Sequence, residues 1–549
     1  MGIRGMRGHV AASLVFASAV AACGNPPAAG PSPAGPPAPV AYTPLTQGLP
    51  PIPPVEAPLA IRVVAPEAGE TLPRRDSAFI YGTVGTGNAA LLINGAQVPV
   101  APNGAFIAYL PVSPEGVWVL EAFKNGTTAA ATYRYRMPAA TPAGNPTPSR
   151  ADTETEAGRP DSVAAPATRR VSANRVFAVA RAGTVRRGGD TLATGSDAVY
   201  ARPTPTGVYR WFFPRGARLV VREVRGEQYR VELGGATAWI DTVNVRLAAD
   251  SATAAAPASL GARRTFAGGD TPELRVPAGF APFLVETDSA GVHVTVYGAA
   301  GTGTLTVAGG DAFATGAGQQ PLPDGTTRFD VATSRWVWGY KAFYEADGTL
   351  VVRLRRPPNI DAASPLRGIR IVVDPGHPPA GAIGPTGYLE KDANLAIGLR
   401  LAERLRAAGA DVRLTRAADV VVDLAARPAM AVAQNADLLI SVHNNAFGNE
   451  AKPARDHGTS TYWFQPNSRD LCRTLDTEIA GVTRIPDLGA KFGNLALVRP
   501  TWMPSCLTES LFMPIPEQEA ALRDPAFLDR LADAHVRGIE AFLRMRAAR

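Results

Sequence analysis

Cysteine is scarce in this chain: 549 residues hold three, Cys23, Cys472 and Cys506. That excludes a disulfide-built scaffold and a cysteine-rich metal cluster. Histidine is almost as sparse, with six copies, so two of them in similar surroundings carry information. No stretch reaches the roughly 20 consecutive apolar residues of a membrane-spanning helix. The net charge is +7, yet basic and aromatic residues do not interleave, so no nucleic-acid partner is expected. From Leu366 onward 22 basic residues face 21 acidic ones, which places the excess upstream. A basic excess of this kind suits an anionic polymer or a membrane surface as readily as no charged partner at all.

What is abundant is punctuation. The chain has 50 prolines and 54 glycines, gathered in separate stretches, and its length suggests roughly three to four domains. Residues 1–23 place Arg4 and Arg7 before the apolar run Val10–Ala22 and end on Val20-Ala21-Ala22-Cys23. This resembles a lipoprotein signal peptide with its lipobox, which implies lipidation of Cys23 and a lipid anchor. Gly24 follows where aspartate marks inner-membrane retention in Gram-negative bacteria. An outer-membrane anchor facing the periplasm is therefore expected. Residues 24–57, rich in Pro and Ala, read as a linker; ~30 residues of polyproline reach roughly 100 Å. In such a compartment Cys472 and Cys506 either pair or stay buried and free.

Three β-rich modules follow. In 58–138, runs such as AFIYGTV and GVWVLEAF alternate with Asn-Gly turns at 94–95, 103–104 and 125–126, which suggests an immunoglobulin-like β-sandwich. A linker over 139–170 precedes a β-barrel module over 171–248, whose stretch Phe213–Leu247 resembles a bacterial Src-homology-like barrel. After a linker over 249–262, a β-rich module over 263–358 ends on WVWGYKAFYEADGTLVVRLRRPP (Trp336–Pro358), with aromatic alternation and an Asp-Gly turn, and is similar to AMIN-type β domains.

Over 366–549 the texture changes. IRIVVDP, VRLTR, LLISVH, STYWF, LALVR and SCLTE read as strands, with helices expected after Tyr388 and over about 423–435, 468–482 and 525–545. In the first helix Leu395, Leu399, Ala402 and Leu405 form the expected apolar face. Alternating strands and helices predict a mainly parallel sheet covered by helices on both faces. Phe464–Gly493 has room for one ordinary helix and no inserted plug over the site.

The chemistry collects at strand ends. His377, His443 and Glu509 each lie at or just past the end of an apolar strand, and Glu390 opens a helix. In such sheets functional side chains gather at the carboxyl edge. Two imidazoles and a carboxylate suit Zn²⁺ with one position open for water, and the second carboxylate serves as base. The other histidines look structural: His535 on the apolar stripe of the last helix, His457 in an exposed polar loop, His293 in a β module without an acidic partner. His9 falls in the signal peptide.

DPGH, EKD, Leu414–Arg416, ISVHNNA and the late strand ending in Glu509 resemble the zinc-dependent N-acetylmuramoyl-L-alanine amidases over about 368–549. The resemblance implies one zinc held by His377, Glu390 and His443, with Glu509 catalytic. It further implies peptidoglycan as substrate, cleaved between N-acetylmuramic acid and L-alanine; it does not imply an activator protein. Two segments depart from the family pattern: Pro378-Pro379-Ala380 replaces a Gly-rich loop, and Ser510-Leu511-Phe512 replaces Gly-Phe after the last Glu. A zinc peptidase acting within the stem peptide, and a non-catalytic wall-binding lipoprotein, are the alternatives.

Overall fold

The computed structural model describes residues 37–549 except 73–75, 138–167, 171–175, 181–183, 188–189, 194–197, 248–257, 302, 310, 380, 449–450 and 549. The signal peptide, Cys23, the first part of the Pro/Ala stretch and nearly all of the 139–170 linker lie outside the described residues.

The C-terminal domain is built on a six-stranded sheet. In chain order its elements are β1 (Arg370–Pro375), α1 (Glu390–Ala407), β2 (Asp411–Leu414), α2 (Ala426–Ala433), β3 (Leu438–Asn445) and β4 (Thr459–Trp463). Then come α3 (Arg469–Thr483), β5 (Asp487–Phe492), β6 (Ser505–Phe512), α4 (Pro516–Ala521) and α5 (Pro525–Ala547). The strands lie in the order β2-β1-β3-β6-β4-β5. The first four are mutually parallel, and β4 and β5 run against them.

Both faces are covered, but by different means. One carries α1, α3 and α5 over a core that includes Ile371, Val373, Ile440, Leu475, Leu531 and Phe542. The α3–α5 approach is close, since a Cβ on Gly538 would sit 2.7 Å from the Leu475 backbone. The opposite face carries α2, Leu497, Val498 and Met503, with Val208 and Phe212 of an upstream β unit packed beside them.

Two details differ from expectation. Of the expected face of α1, Ala402 and Leu405 are buried, but Leu399 is exposed and Leu395 half-buried, and Ala393, Ile397 and Leu401 complete the buried side. The helix is turned so that Glu390 and Asn394 both point inward, and the apolar face follows them at i+4 spacing. LALVR does not form a strand; it curls into a short 3₁₀ turn over Ala496–Val498. Leu497 and Val498 are drawn down onto the sheet, and the polar segment Asp487–Phe492 makes the edge strand instead. The segment 464–493 otherwise holds α3. Cys472 of α3 and Cys506 of β6 form a disulfide with Cα atoms 5.5 Å apart.

The upstream region is all β. Strands over 62–134 form a three-stranded and a four-stranded antiparallel sheet around Trp118, Phe106 and Ile80. Their hairpins turn where sequence placed them, with Asn94, Gly95, Asn125 and Gly126 all at positive φ. Strands between 168 and 247 make an eight-stranded sheet, and those between 264 and 355 a five- and a four-stranded sheet around Phe266, Phe329 and Val352. This last unit joins the C-terminal domain through Trp338, whose indole N–H donates to the Asp437 carbonyl at 2.8 Å. Arg355 pairs with the Asp437 carboxylate at 2.6 Å. The Pro/Ala stretch expected as a linker is held to the folded body from Tyr42 on. The buried Glu517 of α4 accepts from the Thr46 amide at 2.8 Å and from the Tyr42 hydroxyl at 2.5 Å.

Candidate metal centre

The site forms where β1, β3 and β6 end side by side. Pro375 is in register with Val442, and His443 with Glu509. Neighbours in a parallel register point to the same face, so His443 and Glu509 share one side of the sheet edge. His377 follows β1 by two residues, with a left-handed φ of 60° that a β-branched residue would resist. Glu390 is the first residue of α1.

His377, Glu390 and His443 each offer a ligating atom, and these atoms lie within 4.8 Å of one another. The Glu390 carboxylate stands between the imidazoles, 3.1 Å from His377 Nε2 and 3.1 Å from His443 Nδ1. Burial pushes the Glu390 carboxyl up, but hydrogen bonds from the two histidines outweigh it and hold the group ionised. Further donors fix its two oxygens: the Ala382 amide at 2.9 Å, Asn394 Nδ2 at 3.1 Å and the Asn444 amide at 3.3 Å. The histidine side chains keep 30% and 16% exposure against 6% for Glu390, so the cluster opens to solvent on one side.

The donor set fits a divalent zinc-like ion: two neutral-capable nitrogens and one carboxylate oxygen, gathered from three segments. The backbone makes room for it. A Cβ on Gly376 would come within 2.2 Å of the His443 ring, and one on Gly381 within 2.5 Å of Glu390 Oε2.

Behind this cluster sits a buried scaffold whose Asp374, Arg416 and Ser441 fall inside the DPGH, Leu414–Arg416 and ISVHNNA segments, although sequence assigned them no role. Arg427 of α2, 3% exposed, pairs with the fully buried Asp374 at 3.0 Å. It also donates to the carbonyls of Pro375 and His377 at 3.0 and 2.6 Å. Arg416 holds the Pro375 and Gly376 carbonyls at 2.8 and 2.9 Å. Ser441 closes the network on Asp374 at 2.8 Å. Two guanidinium groups thus grip the turn that presents His377. Asn394, four residues after Glu390, was the one member readable from spacing, since the two share a helix face. Nothing in the sequence marks Arg427, whose partners at the site, Asp374, Pro375 and His377, lie 50 or more positions away.

The remaining histidines divide. His535 is fully buried, donating to the Leu531 carbonyl at 2.8 Å and facing Thr508 at 3.1 Å, and burial pushes it down to about 4. His457 is not exposed as expected but 3% accessible, bonded to the Pro453 carbonyl at 2.8 Å, because its loop folds back beside Phe512. His293 does have acidic neighbours: Asp330 at 2.5 Å from the adjacent strand and Asp288 at 3.1 Å across a turn.

Comparison with known proteins locates this centre. The N-acetylmuramoyl-L-alanine amidase family Amidase_3 matches residues 371–541. The uncharacterized protein YqiI of Bacillus subtilis is 31% identical over 34% of this chain and 90% of its own. The probable cell wall amidase LytH of Staphylococcus aureus is 31% identical over 34% of this chain, which spans 62% of that relative. Among solved structures, the N-acetylmuramoyl-L-alanine amidase AmiC2 of Nostoc punctiforme is 30% identical, covering 34% of this chain and 99% of that one, with a TM-score of 0.30. Through its C-terminal domain, which carries the His377, Glu390 and His443 cluster, the chain belongs to the N-acetylmuramoyl-L-alanine amidase family.

Proposed function

We propose that the whole chain is an envelope enzyme that hydrolyses the amide between N-acetylmuramic acid and L-alanine of peptidoglycan. His377, Glu390 and His443 hold one zinc, and Glu509 is the catalytic base. A zinc ion in this cluster would polarise the scissile carbonyl and lower the pKa of the attacking water. Glu509 takes the proton of that water and returns it to the departing alanine amine, which leaves poorly unless protonated. Asn394, Asn444 and the Ala382 amide keep Glu390 aimed, and Arg416 and Arg427 keep His377 in place. Cys23 is lipidated, so the enzyme faces the periplasm from the outer membrane, and the β units position it against the wall.

The observation that carries this reading is the meeting of three ligating side chains within 4.8 Å at the edge where Glu509 stands in register with His443. Mass spectrometry of peptidoglycan digested by the full chain tests it. An amidase releases glycan strands free of peptide and peptides that begin with alanine. Cuts inside the stem peptide would identify a peptidase, and undigested but bound wall a tethering protein.

A further inference from the structure

The first β unit is locked against the rim of the metal centre. Its Tyr81 hydroxyl donates to the Ile383 carbonyl at 3.1 Å, in the loop between His377 and Glu390. Its Phe79 ring lies 5.7 Å from Phe447, which lies 5.0 Å from Phe512, three residues past Glu509. Ala101 and Ala105 of the same unit pack with Ile52 on Ala520 of α4. The contacts reach β1, β3 and β6 segments together, so this placement is a docked interface rather than one touching point.

Between the unit and the rim runs a cleft of about 600 Å³. Its walls are Glu67, Glu70 and Arg136 on one side and Gly381, Ala382 and Ile383 on the other. The floor residue Ala382 is the one whose amide binds Glu390. Glu67 and Arg136 are exposed and Glu70 half-buried. Arg136 donates to the Gly69 carbonyl at 2.6 Å, and one oxygen of Glu70 accepts from the Glu67 amide at 2.9 Å, leaving the other toward the cleft. Two carboxylates and a guanidinium therefore line a cleft bordered by the Gly381–Ile383 loop beside the metal cluster.

We propose that this first β unit is a specificity wall for the amidase: Glu67 and Glu70 engage the side-chain ammonium of the stem peptide's diamino acid, and Arg136 a carboxylate of the same peptide. The inference rests on the amidase reading above. An extended peptide advances ~3.3–3.6 Å per residue, so a stem held by its first amide at the metal cluster reaches on into the neighbouring cleft. A peptide end carrying both an ammonium and carboxylates matches the mixed charge found there. The catalytic domain then reads the bond, and the appended unit reads the peptide beyond it.

The test uses the full chain, two muropeptides and the variant Glu67→Gln/Glu70→Gln. One muropeptide carries a free diamino-acid side-chain amine, and the other carries it acetylated. For wild type, KM should be about fivefold lower on the free amine, the scale of an exposed ion pair. The variant should lose that preference, with kcat within twofold. Arg136→Ala should raise KM on both substrates. Binding of the free stem tetrapeptide to the metal-stripped chain, followed by calorimetry, should weaken by the same factor in the glutamate variant. Equal KM values for the two muropeptides in wild type, or a preference that survives in the variant, would overturn the proposal. No amide cleavage of either muropeptide by wild type would instead overturn the amidase reading on which it stands.

Discussion

His443 and Glu509 face each other across adjacent parallel strands, in direct register at the carboxyl edge of the sheet. One belongs to the metal-ligating cluster and the other does not. On the proposed reading, the pairing separates holding an ion from moving a proton. Glu509→Gln should keep the metal content of wild type and lose about 10²- to 10⁴-fold in kcat, the usual worth of a positioned base. Metal analysis and turnover measured on the same sample check both halves. Loss of metal in that variant would place Glu509 among the ligands.

The turn carrying His377 depends on Arg427. Arg427→Met leaves the buried Asp374 without its guanidinium partner, and breaking such a pair costs about 3–5 kcal/mol. Denaturant unfolding should show that loss. Asp374→Asn combined with Arg427→Met should cost less than the two single losses added, because the second change removes the stranded carboxyl group.

Much of this site was legible because strand and ligand come together in sequence: an apolar run ends, and a histidine or glutamate follows at once. His377, His443 and Glu509 carry that signal. Arg427 does not, since its meaning lies in partners from another segment, and Asp374, though part of DPGH, shows its role only through that partner. The face of α1 was read half right: Ala402 and Leu405 are buried as expected, but Glu390 and Asn394, both polar, hold the buried side of its first turns where hydropathy points to Leu395 and Leu399. His457 was misplaced for the same reason, a polar loop that folds inward. The docking of the first β unit had no signature either; Tyr42 and Thr46 sit in a Pro/Ala stretch, and their partner Glu517 is over 470 residues away.

The Cys472–Cys506 bond closes a loop with a sequence separation of 34. Chain entropy assigns such a crosslink roughly 3–4 kcal/mol. Cys472→Ala/Cys506→Ala should lower the unfolding free energy by about that amount, and reductant should then have no further effect. A variant as stable as oxidised wild type would contradict it.

Asp476 of α3 is 4% exposed, and burial together with the neighbouring Asp487 carboxyl pushes it up to about 8. Its folded value exceeds the unfolded one of about 3.9. The stability it contributes is therefore complete below about pH 4 and is lost as pH rises through about 8. Tm of wild type should fall across that window, and Asp476→Asn should flatten the slope. An unchanged slope in the variant would exclude this carboxyl as its source.

The proposed zinc can be tested for directly by zinc-edge X-ray absorption on the purified, zinc-loaded full chain. The account predicts one zinc per chain in a shell of nitrogen and oxygen at ~2.0–2.2 Å, with imidazole scattering from two rings. Replacing His377 or His443 by Ala should abolish that signal. Sulfur at ~2.3 Å, or a signal that survives both replacements, would contradict the assignment of this centre.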